Sequence, residues 1–316
     1  MTSGAAIGVG LAAVGRPAYI NAGRDRDLGE SRSVDALRAR TWAVLDAAYE
    51  AGVRYVDVAR SYGRAEEFLA QWLDARPEVD VEVGSKWGYR YVGDWRMDAS
   101  VHEVKDHSLA AFLEQWKQTE ALLGGRISVY HVHSATLDTG VLKDAELHRA
   151  LAELRERGVT VGISTSGAQQ ADAVREALAV TVDGRPLFTS FQSTWNVLET
   201  SVAPALAEAR AAGARVIVKE GMANGRLAPG AVGERESRFQ QIAARLGVAP
   251  DALALACALA QPWATCVLSG AATAEQVRSN AAARDVEAPA DVLEELAALA
   301  EAPADYWAAR SGRAWA

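Results

Sequence analysis

Four side chains able to hold or move a proton stand in the first half of this 316-residue chain. Asp57 closes the short apolar run Arg54-Tyr55-Val56, Lys86 closes the run 81–85, and His133 closes the run 127–132. Tyr62 belongs to the segment Asp57-Val-Ala-Arg-Ser-Tyr62-Gly63. A free phenol titrates near ~10, too high to release its proton readily at neutral pH. An ammonium beside it stabilises the phenolate, and a carboxylate partner keeps that ammonium charged. Asp57, Lys86 and Tyr62 supply these three parts, and a neutral His133 can donate to a carbonyl oxygen. His131 shares a strand face with His133, and His133, nearer the end of its run, is the favoured partner. Alone, a strand-end Asp is a cap and a Lys a solvated charge; together they read as a proton-transfer site.

The elements that must carry these residues alternate steadily. Apolar runs predict strands at 7–11, 54–57, 81–85, 127–133, 159–164, 187–193, 215–219 and 266–268. Helical spacing predicts helices at 35–51, 65–75, 109–123, 144–157, 168–180, 202–212, 235–246 and 251–260, then two more at 274–283 and 290–301. Repeated strand–helix units joined by short Gly-ended turns imply parallel pairing. Eight such strands predict a (β/α)8 TIM barrel with extra C-terminal helices, as one domain over 1–316. In that architecture catalytic groups sit at the C-terminal ends of the strands, where Asp57, Lys86 and His133 are expected.

Four stretches exceed ordinary connections: 16–33, 87–107, 221–234 and the tail from 302. The second is rich in aromatics, and Trp87, Tyr89 and Trp95 are candidate walls of a substrate pocket; Tyr306, Trp307 and Trp315 are further candidates in the tail. The net charge of −8 argues against nucleic-acid or anionic-membrane partners, which call for a basic face. Cys257 and Cys266 lack metal or redox spacing, and the N-terminus lacks a signal-peptide pattern, so a cytoplasmic location is the expectation. The sequence is silent on oligomeric state.

On these motifs the chain resembles the aldo-keto reductases over essentially its whole length. Asp57 to Gly63 is similar to the family's Asp-Thr-Ala-x-x-Tyr-Gly, Ser85-Lys86 to its lysine strand, and Val129-Tyr-His-Val-His133 to its Leu-Tyr-x-x-His. Gly162-Ile-Ser164-Thr165 resembles Gly-x-Ser-Asn, and Gln192 matches the glutamine that helps hold the nicotinamide carboxamide. Asn224-Gly225-Arg-Leu is similar to a turn after the seventh strand, and the segment from Ser269 to Asn280 resembles the adenosine-phosphate segment. The resemblance implies a small carbonyl or alcohol substrate and NADP(H), with NAD(H) possible, lying extended across the barrel mouth without a metal. It assigns cofactor contacts to Ser164, Thr165, Gln192, Lys219 and Gly221, and at the far end to Ser269, Gly270, Thr273, Gln276 and Asn280. Tyr62 becomes the proton donor.

Departures from the family pattern are informative. Thr165 replaces the usual asparagine, and Lys219 replaces the aromatic that stacks on the nicotinamide, followed by Glu220. Gly270 and Gln276 replace the usual lysine and arginine, leaving Arg278 as the nearby cation and Arg226 as a second candidate. A 2′-phosphate calls for cationic partners, so only a modest preference for NADPH is expected. Thr273 also reads as a helix N-cap. Alternatives are an internal-redox epimerase or lyase that retains its cofactor, a Schiff-base aldolase using Lys86, and a nicotinamide-binding regulatory subunit like those of potassium channels.

Overall fold

The computed structural model describes residues 5–21, 23, 27–29 and 31–315. Eight parallel strands close into a barrel: β1 (Ala6–Gly10), β2 (Tyr55–Asp57), β3 (Glu82–Trp87), β6 (Ile127–Ala135), β7 (Thr160–Thr165), β10 (Ser190–Thr194), β11 (Arg215–Lys219) and β12 (Cys266–Ser269). The barrel closes where β1 pairs with β12, Ala6 opposite Cys266, and with β2, Gly10 opposite Asp57. Helices surround it: α1 (Val34–Glu50), α2 (Ala65–Asp74), α3 (Leu109–Leu123), α4 (Ala145–Glu156), α5 (Gln170–Leu178), α6 (Ala203–Ala211), α7 (Glu234–Leu246) and α8 (Pro250–Leu259), followed by α9 (Ala274–Ala281), α10 (Ala290–Ala297) and α11 (Pro303–Ser311). The sequence-based strands and helices reappear within a few residues of their expected bounds.

Local chemistry explains these boundaries. The hydroxyls of Ser33, Ser108 and Thr273 and the Asp144 carboxylate accept backbone N–H bonds as N-caps of α1, α3, α9 and α4. Inside the barrel, Tyr55, Val129, Ile217, Cys266 and Leu268 form an apolar cluster separate from the main core, with Leu268 reaching the cavity at the mouth. His131 lies wholly buried, with Nε2 2.9 Å from the Ser190 hydroxyl. Gly162 makes room for this pair, since a Cβ there would lie 2.3 Å from the Ser190 carbonyl and 2.6 Å from the His131 ring.

Three segments differ from expectation. The stretch 87–107 is not all loop: β4 (Tyr89–Tyr91) and β5 (Glu103–Lys105) form an antiparallel ribbon. The small hairpin β8 (Thr181–Val182) and β9 (Arg185–Pro186) turns on Asp183 and Gly184, with φ of 53° and 72°, the positive pair of a two-residue hairpin turn. The tail from 302 folds as α11, started by Pro303 at a position where the missing N–H is harmless. The helix expected at 290–301 accordingly ends at Ala297, and the Glu301 N–H donates to the Leu198 carbonyl instead.

Candidate active site

Asp57, Lys86, Tyr62 and His133 meet at the C-terminal mouth of the barrel. Asp57 ends β2 and Lys86 lies in β3, and their side chains form a buried ion pair at 2.5 Å. The Lys86 ammonium also donates to the Val58 carbonyl at 2.9 Å and reaches the Tyr62 hydroxyl at 3.4 Å. Gln192, on β10, donates Nε2 to the other Asp57 oxygen at 2.8 Å, while its own Oε1 has no partner among the described residues. Tyr62 is set by the turn between β2 and α2, where Gly63 takes φ +62°. The Tyr62 and His133 rings meet edge to face at 5.5 Å, and Tyr89 from β4 approaches His133 at 5.0 Å.

Electrostatics assigns protonation states. Burial, reinforced by the Asp57 carboxylate, holds the Tyr62 phenol well above its ordinary value. The sequence-level expectation was the opposite, a phenol lowered by Lys86. Asp57 and the Val58 carbonyl take the short contacts of Lys86, leaving it a long approach to the phenol. Burial, followed by the repulsion of Lys86 and Lys219, holds His133 well below the usual imidazole range, so its ring is neutral. His133 Nδ1 lies 3.4 Å from the Ser61 hydroxyl. In the tautomer that accepts there, Nε2 carries the proton.

Asp57, Tyr62 and His133 border a cavity of about 270 Å³ whose walls include Arg16, Tyr19, Lys219, Glu220, Arg310 and Trp315, with Lys86 buried behind Asp57. A second, larger cavity of about 1090 Å³ adjoins it, and Ile20, Asn21, Gly225 and Arg313 line both. Sequence reasoning missed two parts of the first cavity. Arg16, buried beneath the Tyr62 and Trp315 rings, pairs with Glu103 from β5. Arg310, from α11, grips Glu220 through contacts of 2.5–3.1 Å. Burial alone would raise Glu220, yet Arg310 and Lys219 hold it at about 2. Lys219, whose ammonium donates to the Thr194 hydroxyl at 3.0 Å, is pushed down to about 8 by burial, with help from Arg310 and Lys86. The only sequence signal for α11 was its pair Tyr306-Trp307.

The remaining candidates divide. Tyr89, Gln192, Lys219, Gly221, Ser269 and Gly270 border the first cavity, and Thr273 and Gln276 the second. Asn280 is buried behind them, its amide 2.7 Å from the Ser269 hydroxyl. Ser164 and Thr165 line neither cavity; the Ser164 hydroxyl accepts from the Ser134 N–H at 2.8 Å, and the Thr165 hydroxyl lies 2.7 Å from that of Ser193. Trp87 also borders neither: strand alternation sends Lys86 inward and Trp87 outward, against Phe112 and His107. Trp95 packs on Phe68 and donates to the Arg32 carbonyl, away from both cavities.

A parallel eight-stranded barrel with acid–base groups at its C-terminal mouth defines a class of barrel enzymes, and comparison with known proteins narrows it. Residues 7–301 match the model of the aldo/keto reductase family, and the chain belongs to that family. It is 27% identical over 174 residues to the pyridoxal 4-dehydrogenase of Microbacterium luteolum, a match spanning 45% of this chain and about half (49%) of that relative. Its fold is similar to that of an aldo-keto reductase from Bacillus halodurans solved in holo form (TM-score 0.68, 20% identity, 94% of this chain and 92% of that one). It is similar also to that of the glycerol dehydrogenase of Gluconobacter oxydans (TM-score 0.68, 18% identity, 93% and 90% covered).

Proposed function

We propose that this chain interconverts a small carbonyl and the corresponding alcohol, using a nicotinamide dinucleotide as hydride carrier and Tyr62 as proton donor. The observation that carries the reading is the meeting of Tyr62, Asp57 and His133 at one cavity, with Lys86 paired to Asp57 behind them, beside a second cavity that shares part of its wall. The cavity also fits the carrier. The partnerless Oε1 of Gln192 is an acceptor for a carboxamide N–H, and a buried acceptor without a donor is costly. Gly270 leaves open space, because a Cβ there would meet only the Asn21 amide, at 4.0 Å. When bound, the nicotinamide supplies the hydride; the protein supplies the proton and the orientation.

Because burial and Asp57 keep the phenol protonated, Tyr62 is poised to donate to the oxygen that gains charge as a carbonyl is reduced. Neutral His133 offers a second hydrogen bond to that oxygen, and the Lys86 charge, held by Asp57 and Val58, favours the phenolate left behind. Both NAD(H) and NADP(H) present the same nicotinamide to this end of the groove. The small first cavity, walled by Tyr19, Tyr89 and Trp315, suits compact substrates with an aldehyde, ketone or hydroxyl group. The names of the dehydrogenases similar to this chain agree with that class. The wholly buried Lys86–Asp57 pair disfavours the aldolase alternative, which needs a neutral lysine open to substrate. The partly buried Lys219–Glu220–Arg310 cluster gives an internal-redox epimerase or lyase its one specific support.

A panel of carbonyls and alcohols followed at 340 nm with each reduced and oxidised cofactor tests the reading. Tyr62→Phe is expected to lower turnover by about a hundredfold or more while leaving cofactor binding, read by fluorescence titration, nearly unchanged. A variant that keeps most of the wild-type rate refutes the assignment.

A further inference from the structure

The second cavity lies between the loop after β11 and the first turns of α8 and α9. Among the described residues, four carboxylates border it: Asp27, Glu236, Asp251 and Glu275. Among the described residues, its cationic lining consists of Arg226 and Arg313. Arg226 is tied to Glu236 and Glu301, each at 2.5 Å. Arg313 donates to the Asn224 carbonyl at 2.9 Å, in a place where burial lowers its pKa. At position 270 there is no side chain, and the Gln276 amide oxygen accepts from the Ala272 N–H at 2.8 Å. Arg278 is exposed on α9 and borders neither cavity.

Asp251 carries the argument. It sits in the first turn of α8, 5% exposed, yet it lines the cavity. With the Asn280 amide turned so that its nitrogen faces the carboxylate, Asn280 donates to Oδ2 at 2.8 Å. Oδ1 has no partner. A buried carboxylate oxygen lacking a donor is a costly arrangement that a ligand hydroxyl can relieve. A ribose 2′,3′-diol offers such donors. A 2′-phosphate offers none: it adds about −1.5 to −2 charges of the same sign, as any phosphomonoester does near neutral pH. Nucleotide sites elsewhere separate the two on this physical ground, an acidic side chain taking the free hydroxyl and an arginine the phosphate.

The first cavity holds the proton-transfer groups, so the nicotinamide half of an extended dinucleotide belongs there. The shared wall of Ile20, Asn21, Gly225 and Arg313 then leads its adenosine half into the second cavity. We propose that Asp251 receives the unphosphorylated adenosine ribose, which makes this chain selective for NAD(H) over NADP(H). This rests on the dinucleotide reading of the first cavity, and it reverses the NADP(H) expectation that the family resemblance carries.

The full chain is titrated separately with NADH and NADPH, without substrate, and binding is read from quenching of tryptophan fluorescence. NADH is expected to bind about tenfold tighter or more, the effect of one charge-assisted hydrogen bond. Asp251→Asn should weaken NADH by about tenfold while leaving NADPH unchanged or tighter. Gly270→Lys combined with Gln276→Arg should shift the ratio toward NADPH. A wild-type protein that binds NADPH as tightly as NADH, or tighter, overturns the selectivity and leaves the dinucleotide reading standing. An unchanged ratio in Asp251→Asn overturns the role of Asp251. Binding of neither cofactor removes the dinucleotide reading and the selectivity together. Should Asp251→Asn not fold, the wild-type ratio alone decides.

Discussion

Replacing Lys86 by methionine separates its structural work from its chemical work. The side chain is fully buried, and its ammonium touches Asp57 at 2.5 Å, the Val58 carbonyl at 2.9 Å and Tyr62 at 3.4 Å. Methionine matches the stem but leaves the Asp57 carboxylate buried with Gln192 Nε2 as its side-chain donor. Removing one partner of a buried ion pair costs about 3–5 kcal/mol. At about 2 °C per kcal/mol for a chain of this size, Lys86→Met should lower Tm by roughly 6–10 °C. The double variant Asp57→Asn/Lys86→Met removes the stranded charge and should recover a large part of that loss. Activity should not recover, because nothing then favours the Tyr62 phenolate. Circular-dichroism melts of the three variants with Asp57→Asn closing the cycle, beside initial rates at 340 nm, make the comparison. A double variant no more stable than Lys86→Met refutes the stranded-charge argument. A Lys86→Met enzyme with most of the wild-type rate refutes the chemical one. Borohydride treatment with substrate should leave no mass-shifted Lys86 peptide, and such a peptide would instead establish an aldolase.

Lys219 should give the fold a pH signature. Its folded pKa of about 8 lies below the ordinary lysine value near ~10.4, so between these pH values the unfolded chain binds the extra proton. The Lys219 contribution therefore makes wild-type stability rise with pH from about 8 to about 10. Lys219→Met should be stabilised relative to wild type below pH 8 and lose that advantage by about pH 10; parallel Tm–pH curves for the two proteins would contradict this. Gly63→Ala places a methyl 2.6 Å from the Gly15 carbonyl at φ +62°. It should cost more than ~1 kcal/mol and lower kcat by displacing Tyr62, and wild-type melting and turnover would count against that positioning.

Local sequence was enough to read the barrel, because most strands are short apolar runs and several helices start on a side-chain cap or stop at a glycine. Asp57, Lys86 and His133 were legible for the same reason. Strand alternation decides which face a side chain takes, and strand ends decide which layer it reaches. The same rule correctly applied would have turned Trp87 outward, since it follows inward-facing Lys86. The Asp183-Gly184 hairpin turn also carried a readable signal that went unused. Other features were not local. Arg310 reaches Glu220 across 90 residues, Arg16 reaches Glu103 across 87, and Asp251 lines a cavity with Asp27 and Gln276. No spacing in the chain encodes those approaches. They arise because barrel closure brings the loop ends of distant β–α units to one rim, where burial then sets each charge against partners remote in sequence. The residue types thus determined the barrel and brought Asp57, Tyr62, Lys86 and His133 to its mouth. Only the tertiary structure decided that the Tyr62 phenol is held above its ordinary range, that Lys219 joins Glu220 and Arg310 in a partly buried triad, and that carboxylates outnumber cations among the described residues around the second cavity.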